Sequence, residues 1–73
     1  MKNDELRKHT CIVIRKQGEY LMDACIWTSE PRWGISVYDA WRTRNKEAAQ
    51  RIARVTGGVM VLFNPVLGKT KLI

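Results

Sequence analysis

The sequence predicts an α+β fold: a small, mainly antiparallel sheet with one α-helix packed on one face, in the order β-β-β-α-β. Three observations carry this expectation. Residues 10–15 (Thr-Cys-Ile-Val-Ile-Arg) are β-branched and apolar on both faces, and a turn signal at Gln17-Gly18 follows them. Ala48, Ala49, Ile52, Ala53 and Val55 fall on one helical stripe behind a capping Asn45. The run Val59-Met60-Val61-Leu62-Phe63 then follows a Gly57-Gly58 pair.

The elements follow in chain order. Residues 1–8 form a charged lead-in, and 9–73 form a single domain. The first strand covers 10–15. With Gln17-Gly18 as a two-residue turn, Lys16 pairs with Glu19. Tyr20-Leu21-Met22 returns as the second strand, with a continuation through Ala24-Cys25-Ile26-Trp27 and an irregularity at Asp23. Residues 28–34 read as a loop punctuated by Pro31 and Gly34. Ile35 to Tyr38 reads as irregular structure or a single helical turn. Asp39 to Arg44 is a short strand that puts Arg42 and Arg44 on one face and Trp41 and Thr43 on the other. The helix starts after Asn45, carries Glu47 in its first turn, where negative charge is favoured, and ends at Gly57. Val59 to Phe63 is a buried strand. Asn64-Pro65-Val66-Leu67-Gly68 is a turn, and Lys69 to Ile73 adds a short edge strand.

A chain of 73 residues with 45% hydrophobic composition and three tryptophans is globular. At this size it buries only about 60% of the surface its unfolded form exposes, so the core is small. Cys11 and Cys25 lie on the two arms of the first hairpin. In the simplest register Cys11 faces Ala24 and Cys25 points to the other face, so a bridge needs a one-residue shift. The plainer reading is two reduced, half-buried thiols. The charged N-terminus is not a secretory signal, and the apolar runs are far short of a membrane span, so a cytoplasmic protein with no membrane contact is expected.

Catalytic and metal patterns stay below threshold. Leu67-Gly68-Lys69-Thr70 lacks the earlier glycine of a phosphate loop, Phe63 standing in its place, and has no room for a following helix. A hairpin turn is the better reading. His9 and Cys11 share a strand face but show no third orienting group. One His and two Cys fall short of a structural zinc set. Asp23, Glu30 and Asp39 show no acid/base arrangement. A non-enzymatic protein without metal or cofactor is therefore expected.

The charge is one-sided. Residues 1–39 carry six Lys/Arg and six Asp/Glu, whereas 40–73 carry seven Lys/Arg and one acid, Glu47, which is the whole net charge of +6. Such a field attracts polyanions and acidic surfaces. Arg32, Trp33, Arg42, Arg44, Lys46, Arg51 and Arg54, with Trp41 beside them, form the candidate binding set. Arginines bind phosphate bidentately, and aromatic faces stack bases of single-stranded nucleic acid. The competing reading makes the tryptophans core and the arginines a solubilising surface. Trp27 and Trp41 fit the core better, and Trp33 fits either. No sequence-specific DNA or RNA recognition motif is present.

Further residues carry a resemblance. Ile-Val-Ile-Arg-Lys-x-Gly-x-Tyr-Leu at 12–21 is followed by Trp27-Thr28, Asp39-Ala40-Trp41-Arg42-Thr43, Glu47-Ala48-Ala49, Gly57-Gly58 and Phe63-Asn64-Pro65. This order resembles small uncharacterised proteins of Gram-positive phages, prophages and integrative elements, over roughly residues 10–68. The resemblance implies a cytosolic accessory role and supplies no functional residues.

Two functions follow as expectations. One is a basic module for nucleic acid without strong sequence preference, with its binding face in residues 40–73. Neutralising about five phosphates would give a log–log salt slope near −4.5. The alternative is an accessory factor that binds an acidic host protein through Trp33, Tyr38 and neighbouring arginines. A monomer or a weak homodimer through the edge strand fits either.

Overall fold

The computed structural model describes residues 10–23 and 31–73. The lead-in over 1–8, His9, Cys25 with its bridge, Trp27 and Glu30 lie outside the described residues. Eight elements follow in order: β1 (Cys11–Lys16), β2 (Glu19–Leu21), β3 (Trp33–Gly34), a 3-10 turn (Val37–Asp39), β4 (Arg42–Thr43), α1 (Lys46–Thr56), β5 (Val59–Asn64) and β6 (Lys69–Leu72). The fold is α+β with a six-stranded antiparallel sheet ordered β3-β2-β1-β5-β6, and β4 pairs with β1 beside β2.

The strand order departs from β-β-β-α-β. Four strands precede the helix, and two follow it. The added strand, β3, has two residues inside the stretch read as a loop. It pairs through Leu21↔Trp33, and the Met22 amide donates to the Arg32 carbonyl at 2.8 Å. A pair of residues carries no periodicity, so Pro31 and Gly34 dominated that reading.

The first hairpin forms in the expected register, Arg15↔Tyr20 and Lys16↔Glu19. Gln17 and Gly18 both take positive φ, 51° and 81°, which matches the twist of the flanking strands. The second strand, however, ends at Leu21. The places beside Val13 and Ile12 that this register would give to Met22 and Asp23 belong to β4, through Val13↔Arg42 and Ile12↔Thr43; the expected continuation through 24–27 lies outside the described residues. The Trp41 amide donates to the Leu21 carbonyl at 2.9 Å and joins the two short strands end to end.

Helix α1 begins where expected. The Asn45 side chain accepts from the Ala48 amide at 3.1 Å. Gly57 closes the helix at φ 77°, and the Gly58 amide reaches the Ala53 carbonyl at 3.0 Å, the bond of a Schellman ending. The buried stripe is Ala49, Ile52 and Thr56, with Ala48 and Ala53 half-buried. Val55, expected on that stripe, is 60% exposed. Thr56 takes the inward position because its hydroxyl donates back to the Ile52 carbonyl at 2.7 Å, which satisfies it inside the core.

Both faces of the sheet are covered. On one face α1 packs over Ile12, Ile14 and Leu21, with Trp33, Trp41, Met60 and Leu62 around them. On the other, Cys11, Val13, Val61 and Phe63 pack with Ala40, Tyr20 and Val37. This two-sided burial explains why β1 is apolar at consecutive positions. Cys11 is a buried free thiol whose Sγ lies 3.5 Å from the Phe63 carbonyl.

The β5–β6 hairpin turns on Asn64. Its buried side-chain oxygen accepts from the Val66 and Leu67 amides at 3.0 and 3.1 Å, and its carbonyl accepts from the Gly68 amide at 2.7 Å. Gly68-Lys69-Thr70 therefore belongs to a hairpin rather than to a phosphate loop.

Candidate nucleic-acid interface

Arg42 is the best-positioned cation of the candidate set. Its pairing with Val13 puts the side chain on the face away from α1. There the guanidinium carbon sits 5.4 Å from the centre of the Phe63 ring, and Nη2 donates to the Tyr38 carbonyl at 2.6 Å. Tyr38 meets the same ring edge-on, at 5.3 Å between centroids and 86° between planes. Phe63 is wholly buried, so its ring is a fixed platform. One guanidinium edge is used by the backbone, and the side chain as a whole remains exposed. A pre-positioned guanidinium loses less freedom on meeting an anion.

Arg42 and Arg44 both line one depression. Cys11, Arg42, Thr43, Arg44 and Pro65 line an open depression of about 370 Å³ at the end of the sheet where β1 begins and β5 ends. The strand-to-helix corner fixes Arg44 between two capped neighbours. The Asn45 amide donates to Thr43 Oγ1 at 3.1 Å, and the Asn45 side chain caps the helix. Lys46, the first helical residue, follows at once and is exposed. β4 covers only Arg42 and Thr43 of the strand expected over 39–44, so Arg44 lies beyond it; Arg42 and Arg44 nevertheless line one depression, and Lys46 follows in the first turn of α1.

The rest of the set is distributed elsewhere. Arg51 and Arg54 are exposed on α1, which covers the opposite face of the sheet. The expected basic face is therefore two surfaces that meet at the β4–α1 corner. Arg32 and Trp33 belong to the β2–β3 side, one strand further from β1 than β4 is. Trp33 is half-buried against the helix-side core, and Lys16 Nζ lies 5.7 Å from its ring centre. The same Nζ donates to the Thr56 carbonyl at 3.3 Å, so Lys16 joins Trp33 to the C-terminal end of α1. Trp41 is half-buried in that core too. Tyr38 is 56% exposed.

Phe63 was not among the sequence-derived candidates, and Tyr38 entered them only as an aromatic of the protein-binding alternative, not as a support for Arg42. Only the β1–β5 pairing and the turn at 37–39 bring them to Arg42, and no local signal announces that meeting. Among the described residues, no group of three His, Cys, Asp or Glu side chains could hold a metal ion. No described helix is long and apolar enough to cross a membrane. Comparisons with protein families, with curated proteins and with solved structures yield no match to this chain.

Proposed function

We propose that this protein is a non-enzymatic cytoplasmic module that binds the phosphate backbone of nucleic acid without strong sequence preference. The expected origin in a phage, prophage or integrative element of Gram-positive bacteria is part of the same proposal and rests on the sequence pattern alone. The observation that carries the binding reading is the fixed guanidinium of Arg42, held over Phe63 and by the Tyr38 carbonyl beside Arg44. Arginine forks match phosphate oxygens in pairs, and a rigid fork gives this contact an orientation. Arg42, Arg44 and Lys46 form the primary contact, and Arg51 and Arg54 add attraction from the far side of the corner. Contacts to phosphate position a strand but do not read it, which fits the absence of a base-reading motif.

The test is a titration with single- and double-stranded oligonucleotides at low salt, following dye-labelled nucleic acid. The paired change Arg42→Ala and Arg44→Ala should weaken binding by about a hundredfold at low salt while leaving it measurable. The pair Arg51→Ala and Arg54→Ala should weaken it only a fewfold. Equal effects of the two pairs would show diffuse attraction and remove the assigned site.

A further inference from the structure

We infer that the outer edge of β6 is a docking strand for an extended acidic segment of another protein, added to the sheet as a further strand. Among the described residues no strand pairs with that edge, and all four β6 residues are exposed. The backbone is oriented for such an addition. The Ile73 amide donates to the Met60 carbonyl at 3.5 Å, which fixes the alternation of the ladder. Odd-numbered residues point their amides and carbonyls at β5, and Thr70 and Leu72 point theirs outward.

The side chains specify what fits. Lys71 pairs with Leu62 and Lys69 with Asn64, so both lysines stand on the helix-covered face. Beside them a groove of about 390 Å³ has Leu62 and Leu67 among its lining. It has room for side chains with aliphatic stems against the leucines and carboxylates beside the lysines. On the other face Leu72 pairs with Val61 and is 63% exposed. A strand that alternates acidic and apolar residues matches both faces at once.

A second copy of the chain matches poorly. In a two-fold antiparallel pairing of β6 with its own copy, equivalent faces adjoin. Central registers then set Lys71 against the lysines of the copy, which is destabilising. Lysines at an edge also serve to deter such pairing. A purely protective edge, however, has no use for an exposed Leu72 or for an apolar groove beside its lysines.

The probe is a dye-labelled, end-blocked peptide of alternating Glu and Val, followed by fluorescence anisotropy. A control peptide of the same composition has its Glu residues in one block. The alternating peptide should bind saturably, and the block peptide should bind at least about tenfold more weakly. Thr70→Pro removes an outward amide at a position where an edge tolerates proline, and should weaken binding about tenfold or more while circular dichroism stays unchanged. Lys69→Gln with Lys71→Gln should do the same without touching the backbone. Equal binding of both peptides, or binding that survives both sets of changes, would overturn the inference. So would a dimer in sedimentation that Thr70→Pro dissolves, since a second copy would then own the edge. Loss of oligonucleotide binding in the Lys69/Lys71 variant without any peptide binding would assign the edge to nucleic acid instead. Failure of the Arg42/Arg44 test leaves this inference standing, because the two use different residues.

Discussion

The guanidinium carbon of Arg42 lies 5.4 Å from the centre of the Phe63 ring, although the two residues are far apart in sequence. The contact joins the candidate site to the core. Phe63 is held by β5, Arg42 by β4, and β1 runs between them. Arg42→Lys keeps the charge but loses the planar fork that reaches both the ring and the Tyr38 carbonyl. It should therefore weaken oligonucleotide binding nearly as much as Arg42→Ala. Thermal unfolding should show a loss of about 0.5–1 kcal/mol for the alanine change, the usual worth of an exposed cation–ring contact.

Gly58 owes its identity to packing. A Cβ there would come 2.5 Å from Ile14 Cγ2, 3.1 Å from the Arg15 carbonyl oxygen and 3.4 Å from the Trp33 ring. Ile14 is fully buried and cannot retreat. Gly58→Ala should cost about 1–3 kcal/mol in chemical denaturation, the usual range for overpacking.

Asn64 holds the β5–β6 turn through two side-chain hydrogen bonds to amides. Asn64→Ala leaves the Val66 and Leu67 amides without that acceptor. A loss of about 1–3 kcal/mol is expected. Hydrogen exchange should quicken first at Val66 and Leu67. Because this turn leads into β6, the same change should also weaken the alternating Glu/Val peptide.

Lys16 links Trp33 to the helix end. Lys16→Met keeps the aliphatic stem and removes both polar contacts. Trp33 emission should shift while nucleic-acid affinity changes little, because the site lies at the opposite end of β1. A large loss of affinity would bring Trp33 and Lys16 into the interface.

What the sequence made legible was local. The Gln17-Gly18 turn, the Asn45 cap, the Gly57 ending and the Asn64–Gly68 turn are each specified by residues a few positions apart, and each stands where it was expected. The strand read over 39–44 shrinks to Arg42–Thr43, with Asp39 in the 3-10 turn, so alternation places Arg42 and Thr43 but does not reach Arg44. What escaped was long-range. β3 is defined by its pairing with β2, and β4 takes the places beside Ile12 and Val13 that the hairpin register would give to Met22 and Asp23. Helical periodicity put Val55 on the buried stripe, yet the structure buries Thr56, whose hydroxyl finds a backbone acceptor. The single basic face divided in two because α1 covers the face opposite to Arg42, and which face a helix covers is not written in its own residues.

The most direct measurement is the salt dependence of duplex DNA binding by the intact protein. The three cations Arg42, Arg44 and Lys46 neutralise about three phosphates, which predicts a slope of log affinity against log salt near −2.7. The Arg42/Arg44 double alanine variant should flatten it to near −0.9. A slope near zero for the intact protein would contradict phosphate binding. An unchanged slope in the variant would contradict the site.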